Sequence, residues 1–133
     1  MKTTSQNSKI KQLLEDCTPK AFQNLLSLMV PDYLSSEVFK SYSGSDKNHE
    51  TLFLMDLWDL FNLSEAEIIK QWPEFLSQYS DLQNNRELIK SVFAVHLSSD
   101  DYSPATGFDD TGFETFGIMA LIDCFREPFL MAA

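Results

Sequence analysis

The chain is poor in the residues that most often carry chemistry or unusual backbone. Four glycines in 133 residues supply neither a phosphate-cradling loop nor a dinucleotide-binding turn. Cys17 and Cys124 are the only cysteines, far apart in the sequence and in no metal or redox spacing. Both lie in apolar stretches, where a thiol behaves as a small hydrophobe, so reduced core thiols are expected. His49 and His96 are the only histidines, and nothing in the spacing pairs either with a cysteine for nucleophilic catalysis. Positive charge is also scarce. Ten Lys and Arg stand against 20 Asp and Glu, a formal net charge of −10. That average charge repels a phosphate backbone and an anionic bilayer surface. No run approaches the roughly 20 apolar residues that span a bilayer, and Met1 to Asn7 lacks the apolar stretch of a signal peptide. The expectation is a cytosolic protein that binds neither nucleic acid nor membrane.

What is present is apolar and aromatic. Hydrophobic residues make up 44% of the chain and aromatics 13%, with 11 phenylalanines. A disordered chain lacks such surface to offset its conformational entropy, so one globular domain is expected over 8–133, with 1–7 as a short flexible leader.

The hydrophobic periodicity is helical nearly throughout. Ser8 precedes Ile10, Leu13, Leu14 and Cys17, which recur at helical spacing. Thr18-Pro19 opens a second helix with Phe22, Leu25, Leu26 and Met29 on one face, and Pro31 is expected to end it. A short segment from Asp32 carries Leu34, Val38 and Phe39, and the polar stretch 43–49 reads as a loop. From Thr51 to Asn62, Asp56 and Asp59 share one helical face while Phe53, Leu54, Leu57, Trp58, Leu60 and Phe61 cover the other.

Ser64 and Glu67 form a capping-box pattern ahead of Ile68, Ile69, Trp72, Phe75, Leu76 and Tyr79, with Pro73 predicting a kinked helix or two short coaxial ones. Asn84 or Asn85 caps a helix bearing Leu88, Ile89, Val92, Phe93 and His96, with a strand over 92–97 as the alternative. Thr111 and Glu114 repeat the capping box before Phe113 to Arg126. That last helix is apolar almost all round, through Phe116, Ile118, Met119, Leu121, Ile122 and Phe125, and so is placed centrally. The fold expected is an all-α compact bundle of about six or seven short helices with the C-terminal helix central.

Candidate chemistry is sparse. Asp46, Asn48 and Glu50 alternate like the start of a calcium loop, but the required Gly and later Glu do not follow. Asp123, inside the most apolar helix, needs a partner, and Arg126 is the nearest in sequence. A raised-pKa general base is the functional alternative there. His96 falls on a core-facing stripe and reads as structural. No metal, no cofactor and no catalytic residue are expected.

The stretch 98–112 has no helical periodicity, and loops of this length in compact domains are often functional. It holds Asp100, Asp101, Asp109 and Asp110, interleaved with Tyr102 and Phe108 and followed by Glu114. Aromatic contact area ringed by charge, with Phe113 as a third ring, is the composition of a protein interface, and the seven residues other than Phe113 form the candidate partner-binding set. The bland reading tucks the phenylalanines into the core and leaves the aspartates to keep the loop wet. An acidic surface speeds encounter with a basic partner. The function expected is therefore binding: a bacterial immunity protein that neutralises a basic, nuclease-type toxin. A secretion chaperone or adaptor and a phage-encoded inhibitor of a host nuclease are the alternatives, and a small enzyme comes third.

Overall fold

The computed structural model describes residues 5–40 and 44–125. Among them there are seven helices and no strand: α1 (Ser5–Asp16), α2 (Pro19–Leu34), α3 (Glu37–Lys40), α4 (Gly44–Leu60), α5 (Glu65–Gln78), α6 (Leu82–Leu97) and α7 (Thr111–Asp123). The all-α fold expected from the periodicity is the one observed. No described helix is long and apolar enough to cross a membrane.

Each boundary follows from local chemistry. Thr18 caps α2 by accepting from the Ala21 N–H, with Pro19 in the first turn where its missing donor costs nothing. Ser64 caps α5 by accepting from the Glu67 N–H, as the capping-box pattern predicts. The strand alternative for 92–97 is wrong, since this segment is the last part of α6.

Several boundaries differ from expectation, for identifiable reasons. The first helix starts at Ser5, so part of the segment read as a leader is helical. Pro31 lies inside α2 instead of ending it. The last turn is held by Tyr33, which is fully buried and donates from its hydroxyl to Glu50 Oε1 at 2.9 Å. Helix α4 begins at Gly44, within the stretch read as a loop. Its polar first turns extend the buried run that starts at Phe53, and a helix over 46–50 excludes a calcium loop. Pro73 is accommodated within a continuous α5. Asp81, not Asn84 or Asn85, caps α6, and Asn85 turns inward to donate to the Tyr79 carbonyl at 2.7 Å.

The core joins all the long helices. Helix α2 packs on α4 and α6, α1 on α5 and α7, and α6 on α7. At one end Phe53, Trp72, Phe75, Tyr79 and Phe125 form an aromatic cluster with ring centroids 5.1–6.3 Å apart. Pairs at such separations add modestly to the burial itself. Cys17 and Cys124 are both free and buried.

Helix α7 enters this core along one face only. Ile118, Leu121 and Ile122 are buried, but Phe116 is 49% exposed and Met119 53%. The expectation of burial all round, and of Phe116 as a core residue, is therefore corrected. Helix α7 has more apolar positions than its main packing partners, α1 and α6, cover.

Candidate functional site

The segment between α6 and α7, residues 98–110, is irregular yet fastened at three points. The first is Glu114, from the first turn of α7, whose side chain is fully buried. One carboxylate oxygen accepts from the Tyr102 hydroxyl at 2.7 Å, and the other from the Ala105 N–H at 2.9 Å. His96 Nε2 lies 3.2 Å from that second oxygen, so α6, the loop and α7 meet at one carboxyl group. Buried acceptors need such partners, because an unpaired polar group in the interior is costly.

The second fastening is Gly107, whose φ of +106° lies in the region that favours glycine. A Cβ there would sit 2.7 Å from the Ala21 Cβ, so the backbone lies directly on α2. Beside it, Asn24 donates to the Thr106 carbonyl at 2.9 Å. The third is Phe108, buried with its ring 5.7 Å from Phe22 and 5.4 Å from Phe113.

These fastenings divide the seven candidate residues into two groups. Phe108 and Glu114 point inward and hold the loop, so neither offers a surface to a partner. Glu114 does not close a capping box either. The cap of α7 is Asp110, whose Oδ1 accepts from the Phe113 N–H at 2.8 Å. Asp100, Asp101, Asp109 and Asp110 are exposed, and Tyr102 is half-buried. Burial, followed by the hydrogen bond to Glu114, pushes the Tyr102 phenol above its usual range. The loop thus presents four carboxylates on a fixed frame.

Of the aromatic residues that the sequence assigned to the interface, Phe108 is buried and Tyr102 and Phe113 are half-buried, and the exposed apolar area lies on α7. Phe116 and Met119 are exposed three residues apart, and Phe113, half-buried, lies with its ring nearly parallel to that of Phe116 at 6.2 Å. Gly112, Phe116, Met119 and Asp123 follow helical spacing along one stripe, which starts beside Asp109 and Asp110. Sequence reasoning missed Phe116 and Met119 as surface residues. The available signal was that Glu114, Gly117, Ile118, Leu121 and Ile122 already fill a continuous helical face.

Asp123 closes the far end of this stripe. It is not a lone buried carboxylate: its Oδ2 forms an ion pair with Lys9 at 2.8 Å, both side chains partly exposed. Arg126, the partner expected from sequence, lies outside the described residues. His96 is buried on the core-facing side expected of it, with Nε2 beside the Glu114 carboxylate. Cys124 is pushed up to about 12, mainly by burial and then by the Asp123 charge, with Lys9 opposing. Cys17 is also raised, by burial and then by Asp16. Both thiols therefore stay protonated at neutral pH. Among the described residues no group of three or more His, Cys, Asp or Glu side chains is arranged to hold a metal ion.

Fold and site together define an all-α chain with an acidic loop, hydrogen-bonded to the interior, beside an exposed apolar stripe. Comparison with protein-family models, with curated proteins and with solved structures finds no match to this chain.

Proposed function

We propose that this chain is an inhibitory binding protein that captures a basic protein partner, as a bacterial immunity protein captures a nuclease-type toxin. The observation that carries the reading is the fixed presentation of Asp100, Asp101, Asp109 and Asp110 beside exposed Phe116 and Met119. Apolar anchors supply contact area, charge steers encounter, and a loop already held in place loses little entropy on binding. A net charge of −10 extends the steering field over the molecule. Nuclease surfaces gather phosphate with positive charge, which makes them natural partners for such a surface. An inhibitor of a host nuclease, carried by a phage, would rest on the same physics.

The test is affinity capture from the source cells at low and moderate salt, followed by titration of the purified partner. A basic partner whose activity is blocked, and whose affinity falls at least tenfold with Asp109→Lys, supports the reading. A neutral or acidic partner, or equal affinity for parent and variant, overturns it.

One further observation favours a different reading, a secretion chaperone or adaptor. Leu28, Leu52 and Met55, on α2 and α4, are also exposed, and exposed apolar surface is what such a protein would use to hold a polypeptide. Binding to many apolar clients, insensitive to salt, distinguishes it.

A further inference from the structure

A groove of about 630 Å³ runs between α2 and the C-terminal half of α6, next to the start of the acidic loop. Its volume falls within the roughly 300–1,000 Å³ typical of ligand sites. Ala94 and Val95 give it an apolar wall. Asp32, from α2, Asp100, from the loop, and Ser91, Ser98 and Ser99 complete its lining. Among the described residues no Lys or Arg lines it. The neighbouring Lys90 is turned to Glu87 at 3.5 Å.

We propose that this groove receives an arginine-bearing segment of the basic partner. The inference rests on the reading of the chain as a capturer of basic proteins, and it names the chemistry that one part of the surface recognises. An apolar wall suits the methylene stem of a long basic side chain, which packs on hydrophobic surface while its charged head stays at polar groups. Two carboxylates and a hydroxyl are acceptors for the head. An anionic segment is repelled there, and a purely apolar one strips water from the aspartates without replacing it. Arginine fits better than lysine, because its planar fork offers five donors and is weakly hydrated. The space exceeds one side chain, so residues flanking the arginine enter with it.

The experiment follows backbone amide shifts of the ¹⁵N-labelled chain during titration with the peptide acetyl-Arg-Ala-Arg-amide at physiological salt. The control peptide is acetyl-Glu-Ala-Glu-amide. The expected result is saturable shifts at Ser91, Ala94, Val95 and Ser98 to Asp100. Asp32→Asn and Asp100→Asn should each weaken the arginine peptide at least threefold. Asp59→Asn, which removes the same charge from α4, should leave it within experimental error.

Shifts spread over the whole acidic surface without saturation, or equal effects of Asp32→Asn and Asp59→Asn, overturn the groove. The captured partner separates this from the broader reading. If Asp109→Lys weakens that partner and Asp32→Asn does not, the capture function stands and the groove assignment fails. If the partner proves not to be basic, the capture function itself fails.

Discussion

The Tyr102 hydroxyl donates to the buried carboxylate of Glu114 at 2.7 Å, and through this bond the acidic loop is tied to the first turn of α7. Because Ala105 N–H and His96 converge on the same carboxylate, one side chain fixes the position of a surface several residues away. Of the exposed aspartates, Asp110 holds itself through its cap on α7. The buried network of Glu114 holds the loop that carries the others.

Glu114 should accordingly be the most sensitive polar residue in the protein. Glu114→Ala strands the Ala105 N–H, the Tyr102 hydroxyl and His96 in the interior, at a cost of about 3–5 kcal/mol. Glu114→Gln keeps one acceptor oxygen and should cost less, about 1–3 kcal/mol. Urea unfolding monitored by circular dichroism gives both values, and a Glu114→Ala midpoint matching the parent would show that the network does not hold the loop.

Gly107→Ala should also be destabilising, by about 1–3 kcal/mol, since alanine is strained at positive φ. The added methyl would in addition press on Ala21. The loop it loosens is the proposed binding surface, so the same variant should lower partner affinity. Hydrogen exchange at 98–110 would separate local loosening from global unfolding, and unchanged exchange there would remove Gly107 from the account.

The two faces of α7 should respond in opposite ways. Leu121→Ala, at a position with no exposure, should cost about 2–5 kcal/mol of stability. Phe116→Ala and Met119→Ala, on the outer face, should change stability by no more than about 0.5 kcal/mol. They should nonetheless weaken partner binding tenfold or more. Thermal midpoints and a binding isotherm measured side by side decide this, and a large loss of stability in Phe116→Ala would return that ring to the core.

Asp109 and Asp110 carry different burdens, although the sequence groups them. Asp109→Lys reverses an exposed charge and should leave the thermal midpoint unchanged while weakening the partner. Asp110→Lys also removes the cap of α7, which costs about 1 kcal/mol. Asp110→Asn keeps a capping oxygen and loses only the charge, so it isolates the electrostatic part. If Asp110→Asn and Asp110→Lys are equally stable, the cap contributes nothing measurable.

At alkaline pH the buried thiols should undermine the fold. The Cys124 thiol has an ordinary value of 9.0 and is raised to about 12 by burial in the folded state. Above pH 9 the unfolded chain loses this proton while the folded chain retains it. The stabilisation is therefore complete below pH 9 and declines as pH rises toward about 12. Cys17, Tyr79 and Tyr102 are shifted in the same direction. Native protein at pH 8 should react slowly with a thiol reagent and release two thiols on denaturation. Rapid labelling of Cys124 in the native state would contradict its burial.

Much of the fold is legible in the chain because helical periodicity and caps are local. Thr18-Pro19 and Ser64 with Glu67 mark helix starts through bonds made within three residues. Failures came where a distant partner intervened. Pro31 lies inside α2, whose last turn carries the Tyr33 hydroxyl to Glu50 on another helix. Asn85 is not a cap because it is used on the Tyr79 carbonyl.

The candidate site follows the same division. Composition and residue order determined that this is a helical, strongly acidic chain with an unusual aspartate-rich segment at 98–112, since charge is a sum over the residues and periodicity is read from their order. Only the tertiary structure decided that Glu114 and Phe108 face inward and Phe116 and Met119 face outward. A helix pattern fixes which residues share a face. Which face is covered depends on the neighbours, and here α1 and α6 cover the side that carries a carboxylate, because His96, Tyr102 and the Ala105 N–H are there to receive it.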